Sequence, residues 1–178
     1  MKVVIINGYP MSGKSQFCAY CMDYMTKKGI KGGIISTVDL IKNIASQLGW
    51  DGIKTPKDRK FLSDLKKLLT DWNDIPFTYV QSQIRETYLM FTQKLGVPQD
   101  RIIFFVHSRE PEEIKRFQEV YGATTLLVKR KDVEDLEQSN DSDNNVMNFQ
   151  YDYTINNDKG LDELQLEAIK FIDEMVKF

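Results

Sequence analysis

The sequence predicts an α/β fold in which helices cover both faces of a parallel β-sheet. Short apolar segments rich in β-branched residues alternate along the chain with longer segments whose apolar residues recur at helical spacing. Such alternation favours a parallel sheet, because the chain must cross over the sheet between parallel strands. The 178 residues are 42% hydrophobic and 28% charged, enough for one domain with a substantial core. We therefore expect a single domain over residues 1–178.

The predicted elements follow from composition and from start and stop signals. Strands are predicted at residues 2–6, 31–39, 101–107, 123–129 and 151–155. Helices are predicted after Lys14, at 40–48, from Thr55 onward, and at 75–95, 111–121 and 161–178. Thr55 and Pro56 are residue types that favour a helix N-terminus. The helix that they begin has an apolar side made of Phe61, Leu62, Leu65, Leu68, Leu69 and Trp72.

Charge and cysteine content argue against several classes of protein. The net charge of −2 gives no sign of a general nucleic-acid or membrane-surface partner. The apolar N-terminus runs directly into a glycine-containing loop, unlike a signal peptide. Cys18 and Cys21 have a C-x-x-C spacing, but both fall in the first helix, and no second cysteine pair or nearby histidine completes a site. We expect structural cysteines and a cytoplasmic protein, while the oligomeric state stays open.

The first strand leads into a phosphate-binding motif. Residues 8–15 match G-x-x-x-x-G-K-[ST] at every fixed position, and a helix pattern follows. Gly8 and Gly13 allow the backbone to turn so that successive N–H groups face inward, and the helix adds its positive end. The alternative is a chance match in an ordinary strand–helix turn. The motif predicts a site for a nucleotide polyphosphate.

Each residue of this loop has an expected part in binding. Lys14 would reach the β- and γ-phosphates of ATP, and the Ser15 hydroxyl would bind Mg²⁺, which prefers oxygen ligands. Gly8, Met11, Ser12, Gly13, Lys14 and Ser15 are the predicted nucleotide-binding residues of the loop. Pro10 and Met11 are interpreted as determinants of loop shape rather than of chemistry.

Passages along most of the chain resemble the P-loop kinases that act on nucleoside monophosphates. The resemblance is to the phage-type deoxynucleoside monophosphate kinases and their phosphomevalonate-kinase-like relatives. It is carried by residues 8–15, by 36–42 with 48–52, Lys54 and Arg59, by 107–113, and by 143–155 with 157–164. It implies a three-layer α/β/α P-loop NTPase fold with a helical acceptor-binding insert at about 40–96 and a lid at about 130–150. It also implies phosphoryl transfer from ATP, with Mg²⁺, to a nucleoside or deoxynucleoside monophosphate.

The same resemblance implies roles for basic residues near the strand ends. With Lys14, Arg109 and Arg130 are the predicted catalytic residues, because phosphoryl transfer depends on positioning and charge neutralisation. The predicted acceptor-binding residues are Asp39, Lys42, Arg59, Arg85 and Arg109. The alternatives are a helix N-cap for Asp39 and solvated faces or surface salt bridges for the others.

Two further predictions concern the base of ATP and the base of an acceptor. Asn157 follows the last strand, where relatives hold the adenine mainly by backbone; the alternative is a plain turn. Trp50 and Trp72 are candidates for stacking on a base, against the alternative of packing in the core.

His107 departs from the pattern of the resembled family. The family usually has an aspartate at this strand end, which helps to hold Mg²⁺, whereas a neutral imidazole is a poor ligand for that ion. Three interpretations stay open: a structural histidine, a hydrogen-bonding group to phosphate or substrate, or an altered metal site with reduced activity.

The predicted lid is acidic, with Glu134, Asp135, Glu137, Asp141 and Asp143 interpreted as a solvated face. Alongside a nucleoside monophosphate kinase, the sequence therefore leaves two alternatives: a kinase of another phosphorylated metabolite, and an ATP-binding module with little transfer.

Overall fold

The sheet is fully parallel, as the sequence predicts. The computed structural model describes residues 1–134 and 146–176. Within these residues five strands, β1 to β5 in chain order, span Lys2–Asn7, Lys31–Ser36, Ile102–His107, Thr124–Lys129 and Tyr153–Asn156. They lie in the order β2-β3-β1-β4-β5, and every neighbouring pair is parallel. The first strand is therefore central, and the phosphate-binding motif begins at its carboxyl end.

Helices connect the strands. Among the described residues, α1 to α7 span Lys14–Lys27, Asp39–Gln47, Pro56–Asn73, Ile75–Leu89, Pro111–Tyr121, Lys131–Glu134 and Leu161–Val176. A π-helical turn at Met90–Lys94 extends α4, so the predicted helix at 75–95 is continuous but changes its hydrogen-bonding pattern near its end. No described helix is long and apolar enough to cross a membrane.

The sheet separates two apolar clusters, because successive side chains of a strand point to opposite faces. Val4 and Ile6 of β1 pack in the cluster that contains Phe17 of α1 and Phe171 of α7. Val3 and Ile5 pack in the other cluster, built with α4 and α5. Helices thus cover both faces, and the predicted three-layer α/β/α fold is confirmed.

Both cysteines lie in the first cluster as free, buried thiols. The expectation of a structural role is thereby confirmed. Burial raises the pKa of the Cys18 thiol to about 12, so it stays protonated.

The helix α3 begins as predicted but packs less than its apolar side suggests. Thr55 and Asp58 form a reciprocal capping box at its N-terminus. None of its residues is fully buried, however, and Leu68 and Trp72 are 64% and 73% exposed. The core alternative for Trp72 is therefore wrong. The reason is position, because α3 contacts α2 and α4 rather than lying on the sheet.

Two ion pairs fasten α3 and the start of α4 to α5. Lys66 Nζ lies 2.8 Å from Glu113 Oε1, and both side chains are largely buried. Arg116 binds Asp74 through both ends of its guanidinium, with one Nη1–Oδ1 distance of 3.0 Å, and lies 3.9 Å from the ring centroid of Phe77. The helices after β2 are thereby fixed relative to the sheet.

Element boundaries differ from the prediction near β2 and in the predicted lid. The strand ends at Ser36, and Asp39 begins α2 instead of ending the strand. Of the predicted lid, the structure describes α6 and a 3₁₀ turn at Val146–Asn148. The predicted solvated acids at 135, 137, 141 and 143 lie outside the described residues, as do the last two residues of the predicted closing helix.

Candidate functional site

The phosphate-binding motif forms a tight loop between β1 and α1. Gly8 and Gly13 have φ values of 144° and 98°, which L side chains rarely adopt. A Cβ on Gly8 would lie 2.3 Å from the Val128 carbonyl oxygen, and one on Gly13 would lie 2.3 Å from Nδ2 of Asn157. The loop therefore depends on glycine at both positions for backbone conformation and for space.

An ammonium group lies across this loop. Lys14 Nζ donates to the carbonyl oxygens of Gly8 at 2.6 Å and Tyr9 at 2.5 Å, and it lies 3.5 Å from Ser12 Oγ. The loop precedes the first turn of α1, whose free N–H groups carry the positive end of the helix dipole. A concave backbone, a cation and a helix N-terminus thus converge on one point, which is the arrangement required to bind a polyphosphate.

Asn157 supports the loop from β5. Its Nδ2 donates to the Ser12 carbonyl oxygen at 3.0 Å, and its backbone N–H donates to Lys129. The sequence suggested this residue for contact with the adenine of ATP mainly through its backbone, which stays a prediction; its side chain contacts the loop backbone. Met11 lies in the same loop, has a φ of 62° and is 73% exposed.

Asn7 is a buried polar residue that sequence reasoning missed. The Gly8 N–H donates to its Oδ1 at 2.8 Å, and its Nδ2 donates to the Tyr151 hydroxyl at 2.7 Å and, more weakly, to the Arg109 carbonyl at 3.4 Å. Tyr151 in turn donates to the Val146 carbonyl at 2.8 Å. One amide thereby joins the loop, the segment after β3 and the chain before β5. The sequence does contain a signal that could have identified Asn7, because it is a polar residue at the end of an apolar strand, directly before the motif.

A cleft of about 860 Å³ opens beside the loop, between the ends of β2 and β3 and the helices α2 and α3. Parallel strands place their carboxyl ends at one edge of the sheet, where α/β proteins bind ligands. The cleft brings together six of the predicted site residues: Lys14, Ser15, Asp39, Lys42, Arg59 and Arg109. Arg85 does not line it and is exposed on α4.

Cations dominate one part of the cleft. Burial lowers the pKa of Lys54, and the neighbouring charges of Lys42, Arg59 and Arg109 lower it further. All four of these cations line the cleft. Lys54 lies in the loop before α3. The sequence analysis drew attention to this residue only as part of the family resemblance. Such a cluster is suited to an anion that carries more than one negative charge.

Asp39 and Glu113, two acidic residues near the cleft, form hydrogen bonds and ion pairs with other residues of the protein. Asp39 Oδ2 accepts from the Ser36 N–H at 2.7 Å, and Oδ1 lies 3.8 Å from Lys42 Nζ. Asp39 therefore holds the end of β2 instead of capping α2, whose N-cap is Val38. Glu113 accepts from Ser108 at 2.8 Å in addition to its ion pair with α3. This contact links the position of α3 to the loop that carries Arg109.

His107 ends β3 at the base of the cleft. Burial lowers its pKa to about 4, and the nearby positive charges of Lys14, Lys42 and Arg109 contribute. Its Nε2 lies 3.9 Å from Cys18 Sγ. The imidazole is neutral at neutral pH, so it adds no charge to the cationic cleft.

The residues here fit a magnesium ion held mainly by phosphate oxygens and water. Ser15 presents a hydroxyl to the cleft, and the described carboxylates that line it are Asp39, Asp64 and Glu110. No group of three or more metal-ligating side chains occurs among the residues that the structure describes. Oxygen donors suited to Mg²⁺ are present, therefore, but no protein-only cage is.

A second cavity, of about 420 Å³, lies between the start of α6 and the loop after β5. Arg130, Asn157 and Asp158 line it with four neighbours. Arg130 Nη2 lies 3.0 Å from Asp132 Oδ2, and Asp158 Oδ1 accepts from the Lys131 N–H at 2.8 Å. Arg130 is thus found at a different cavity from Arg109.

Comparison with known proteins finds similar solved structures, all at low sequence identity. The chain matches no protein-family model and no curated protein. A solved structure of a putative kinase from Chloroflexus aurantiacus matches 99% of this chain and 98% of its own, with 7% identity and a TM-score of 0.51. An APS kinase from Mycobacterium tuberculosis in complex with AMPPNP and APS has 14% identity, 97% coverage of each chain and a TM-score of 0.49. A shikimate kinase from Aquifex aeolicus has 10% identity, coverage of 97% and 96%, and a TM-score of 0.46.

Proposed function

We propose that this protein transfers the γ-phosphoryl group of ATP to a small phosphorylated acceptor. The observation that carries the proposal is the continuity of two anion sites. Lys14 and Ser15 belong to the phosphate-binding loop and also line the cationic cleft. A nucleotide polyphosphate in the loop would therefore meet an acceptor anion in the cleft, which is the proximity that phosphoryl transfer requires.

The residues of the chain would act by binding and by neutralising charge. The loop amides and the Lys14 ammonium would hold the β- and γ-phosphates, and Arg109 would stabilise charge on the transferred group. Mg²⁺, when bound, would neutralise negative charge on the phosphates, with Ser15 as its protein ligand. Arg130 is proposed to contact the nucleotide from the second cavity, and Asn157 to keep the loop in shape.

The acceptor phosphate would be held by Lys42, Lys54 and Arg59. One of its oxygens forms the new bond to the γ-phosphorus, while the bond from that phosphorus to the bridging oxygen breaks and ADP leaves with the electron pair. An ionised phosphate oxygen has no proton to lose, so the reaction needs no general base. A neutral His107 beside this site is compatible with such a transfer.

The organic part of the acceptor is a separate question from the transfer. The sequence resemblance favours a nucleoside or deoxynucleoside monophosphate, and another phosphorylated metabolite is the alternative. The proposal depends only on the acceptor phosphate, so it holds for a nucleotide acceptor and for another phosphorylated metabolite.

The proposal also covers the organisation of the chain and its location. It assigns a single kinase domain, with an insert at about 40–96 and a lid at about 130–150, and a cytoplasmic location.

A second candidate is an ATP-binding module with little transfer activity. The observation that favours it is His107, a neutral side chain at the strand end where the resembled kinases have a carboxylate for the metal. Calorimetry with ATP and Mg²⁺, together with ADP measurement in the presence of phosphorylated acceptors, separates the two candidates. Binding of ATP without ADP formation from any acceptor would favour the module.

The main test is Lys14→Ala, with Lys57→Ala as the control on an exposed position of α3 outside the cleft lining. We expect Lys14→Ala to reduce ADP formation on the order of a hundredfold or more, because the β- and γ-phosphates lose their cation. Arg109→Ala should weaken acceptor use more than ATP binding. Unchanged turnover in Lys14→Ala, measured at saturating acceptor, would reject the site.

A further inference from the structure

Glu113 joins two sides of the cleft, although it is not among the described residues that line it. It is the third residue of α5, and its Oε1 lies 2.8 Å from Lys66 Nζ on α3. Its Oε2 accepts a hydrogen bond of 2.8 Å from the hydroxyl of Ser108, which directly follows β3. One carboxylate therefore binds both the helix that carries Arg59 and the residue that precedes Arg109.

These contacts lie where water competes little. The side chains of Lys66 and Glu113 are 19% and 12% exposed, and Ser108 is 2% exposed. Ion pairs and hydrogen bonds to charged groups are stronger in such surroundings than at the surface, because the local dielectric constant is lower. The position of the carboxylate therefore constrains both of its partners.

The position of α3 depends strongly on α5. None of the residues of α3 is fully buried, so apolar packing holds it less firmly than the helices on the sheet. Two other ion pairs of α3 are exposed and join residues of that same helix, and they are Lys60–Asp64 and Lys67–Asp71. Lys66 lies seven residues after Arg59, on the same face of α3 and about 10 Å farther along its axis. A shift of Lys66 would therefore move Arg59 as well.

The segment that carries Arg109 is held from two directions. Glu113 accepts from Ser108 on one side, and Asn7 Nδ2 donates weakly to the Arg109 carbonyl oxygen at 3.4 Å on the other. Because Ser108 is buried and Arg109 lines the cleft, the bond to Glu113 fixes the backbone from which the Arg109 side chain extends. A cation that acts on a phosphoryl group in transfer has to be placed within a fraction of an ångström.

We infer that Glu113 is a positioning residue, which sets the cations of α3 relative to Arg109 by holding both sides through one carboxylate. This inference rests on the proposed function, because it concerns the placement of the acceptor phosphate and of the transferred phosphoryl group. Glu113 touches neither of these groups. The alternative is an ion pair that contributes only to folding, and it predicts no selective effect on either group.

Two probes measure the two sides separately, and neither requires the natural acceptor. Inorganic phosphate, titrated by calorimetry with AMPPNP and Mg²⁺ present, reports on the cations of the cleft. ADP with aluminium fluoride and Mg²⁺ mimics the phosphoryl group in transfer, so its affinity relative to that of AMPPNP reports on Arg109. Arg109→Ala gives the scale of this second readout, and ADP formation from ATP tests the proposed function independently.

Two substitutions of Glu113 should give different patterns. Glu113→Gln keeps an oxygen that can accept from Ser108 but loses the charge opposite Lys66, whereas Glu113→Ala loses both contacts. We expect both variants to bind phosphate about tenfold more weakly, and Glu113→Ala alone to bind the aluminium fluoride complex about tenfold more weakly. Glu112→Gln, at an exposed position in the same turn of α5, is the matched control and should change neither affinity.

Ser108→Ala distinguishes an action through Glu113 from a direct contact of Ser108 with a ligand. Alone, it should weaken the aluminium fluoride complex about tenfold and leave phosphate unchanged; added to Glu113→Ala, it should cause no further loss. The opposite patterns of Glu113→Gln and Ser108→Ala test the inference even if Glu113→Ala does not fold.

Three results would overturn the inference. They are additive losses in the double variant, an equal loss for phosphate, AMPPNP and the aluminium fluoride complex in Glu113→Gln, and unchanged binding of both probes in Glu113→Ala. If Arg109→Ala weakens the aluminium fluoride complex and Glu113→Ala does not, the positioning role alone fails. If neither variant weakens it, the role of Arg109 in the proposed function fails as well.

Discussion

Replacing Asn7 by leucine tests whether its amide holds the phosphate-binding loop. Leucine has a similar volume, so the main change is the loss of hydrogen bonds at a position with no exposed surface. The Gly8 N–H loses its acceptor, and the Tyr151 hydroxyl loses one donor but keeps its bond to the Val146 carbonyl. A buried N–H without a partner costs about 1–3 kcal/mol, and a typical lost hydrogen bond about 1 kcal/mol.

The expected loss of unfolding free energy for Asn7→Leu is therefore about 3 kcal/mol. Tyr151→Phe removes the hydroxyl alone and should cost about 1–2 kcal/mol. Because both single variants remove the same Asn7–Tyr151 contact, the double variant should lose about 1 kcal/mol less than the two single losses together.

Urea unfolding followed by circular dichroism measures all four proteins, and calorimetry with ATP measures the loop. We expect ATP to bind more weakly to Asn7→Leu than to Tyr151→Phe, because only the first change frees the Gly8 N–H. Strict additivity of the two losses, or a loss below about 1 kcal/mol for Asn7→Leu, would refute the reasoning.

Three further predictions follow from backbone conformation, burial and capping. Met11→Gly should raise the unfolding free energy in urea by about 0.5–1 kcal/mol, because a left-handed φ costs a side-chain-bearing residue more than glycine; a loss of that size would indicate a contact of the Met11 side chain. The lowered pKa of His107 makes stability complete above pH 6.5 and progressively weaker as pH falls toward 4, by up to about 3 kcal/mol, and His107→Gln should remove this component of the pH profile. Thr55→Ala should cost about 1 kcal/mol and speed hydrogen exchange in α3, while equal acceleration in the sheet would contradict a local cap.

Most of the fold could be predicted because its signals are local. Apolar β-branched segments, Thr55 with Pro56, and Gly122 after a helix each identify an element without knowledge of the partner that it packs against. Burial of α3 could not be predicted in this way. A helix has the same apolar side whether it lies on a sheet or beside a cleft, and only the tertiary structure decides which residues of that side meet solvent.

In the candidate site, too, local sequence signals predict some features, and tertiary packing decides the others. The spacing of Gly8, Gly13 and Lys14 encodes the loop directly, because the conformation needs those residue types. For Asn157 and Arg85, the position along the chain does not predict the direction of the side chain. Each lies at a position suggested by order along the chain, but one side chain contacts the loop backbone and the other is exposed on α4, since side-chain direction depends on packing.

The central position of β1 has a consequence for synthesis of the protein. This strand leaves the ribosome before its partners in the sheet, β3 and β4, and before Asn157, whose amide supports its loop. A nascent chain that ends before β3 carries the complete motif without the neighbours that shape it. Nucleotide affinity should therefore emerge only when the last strand has been made, and until then the unpaired apolar strand β1 is prone to aggregation.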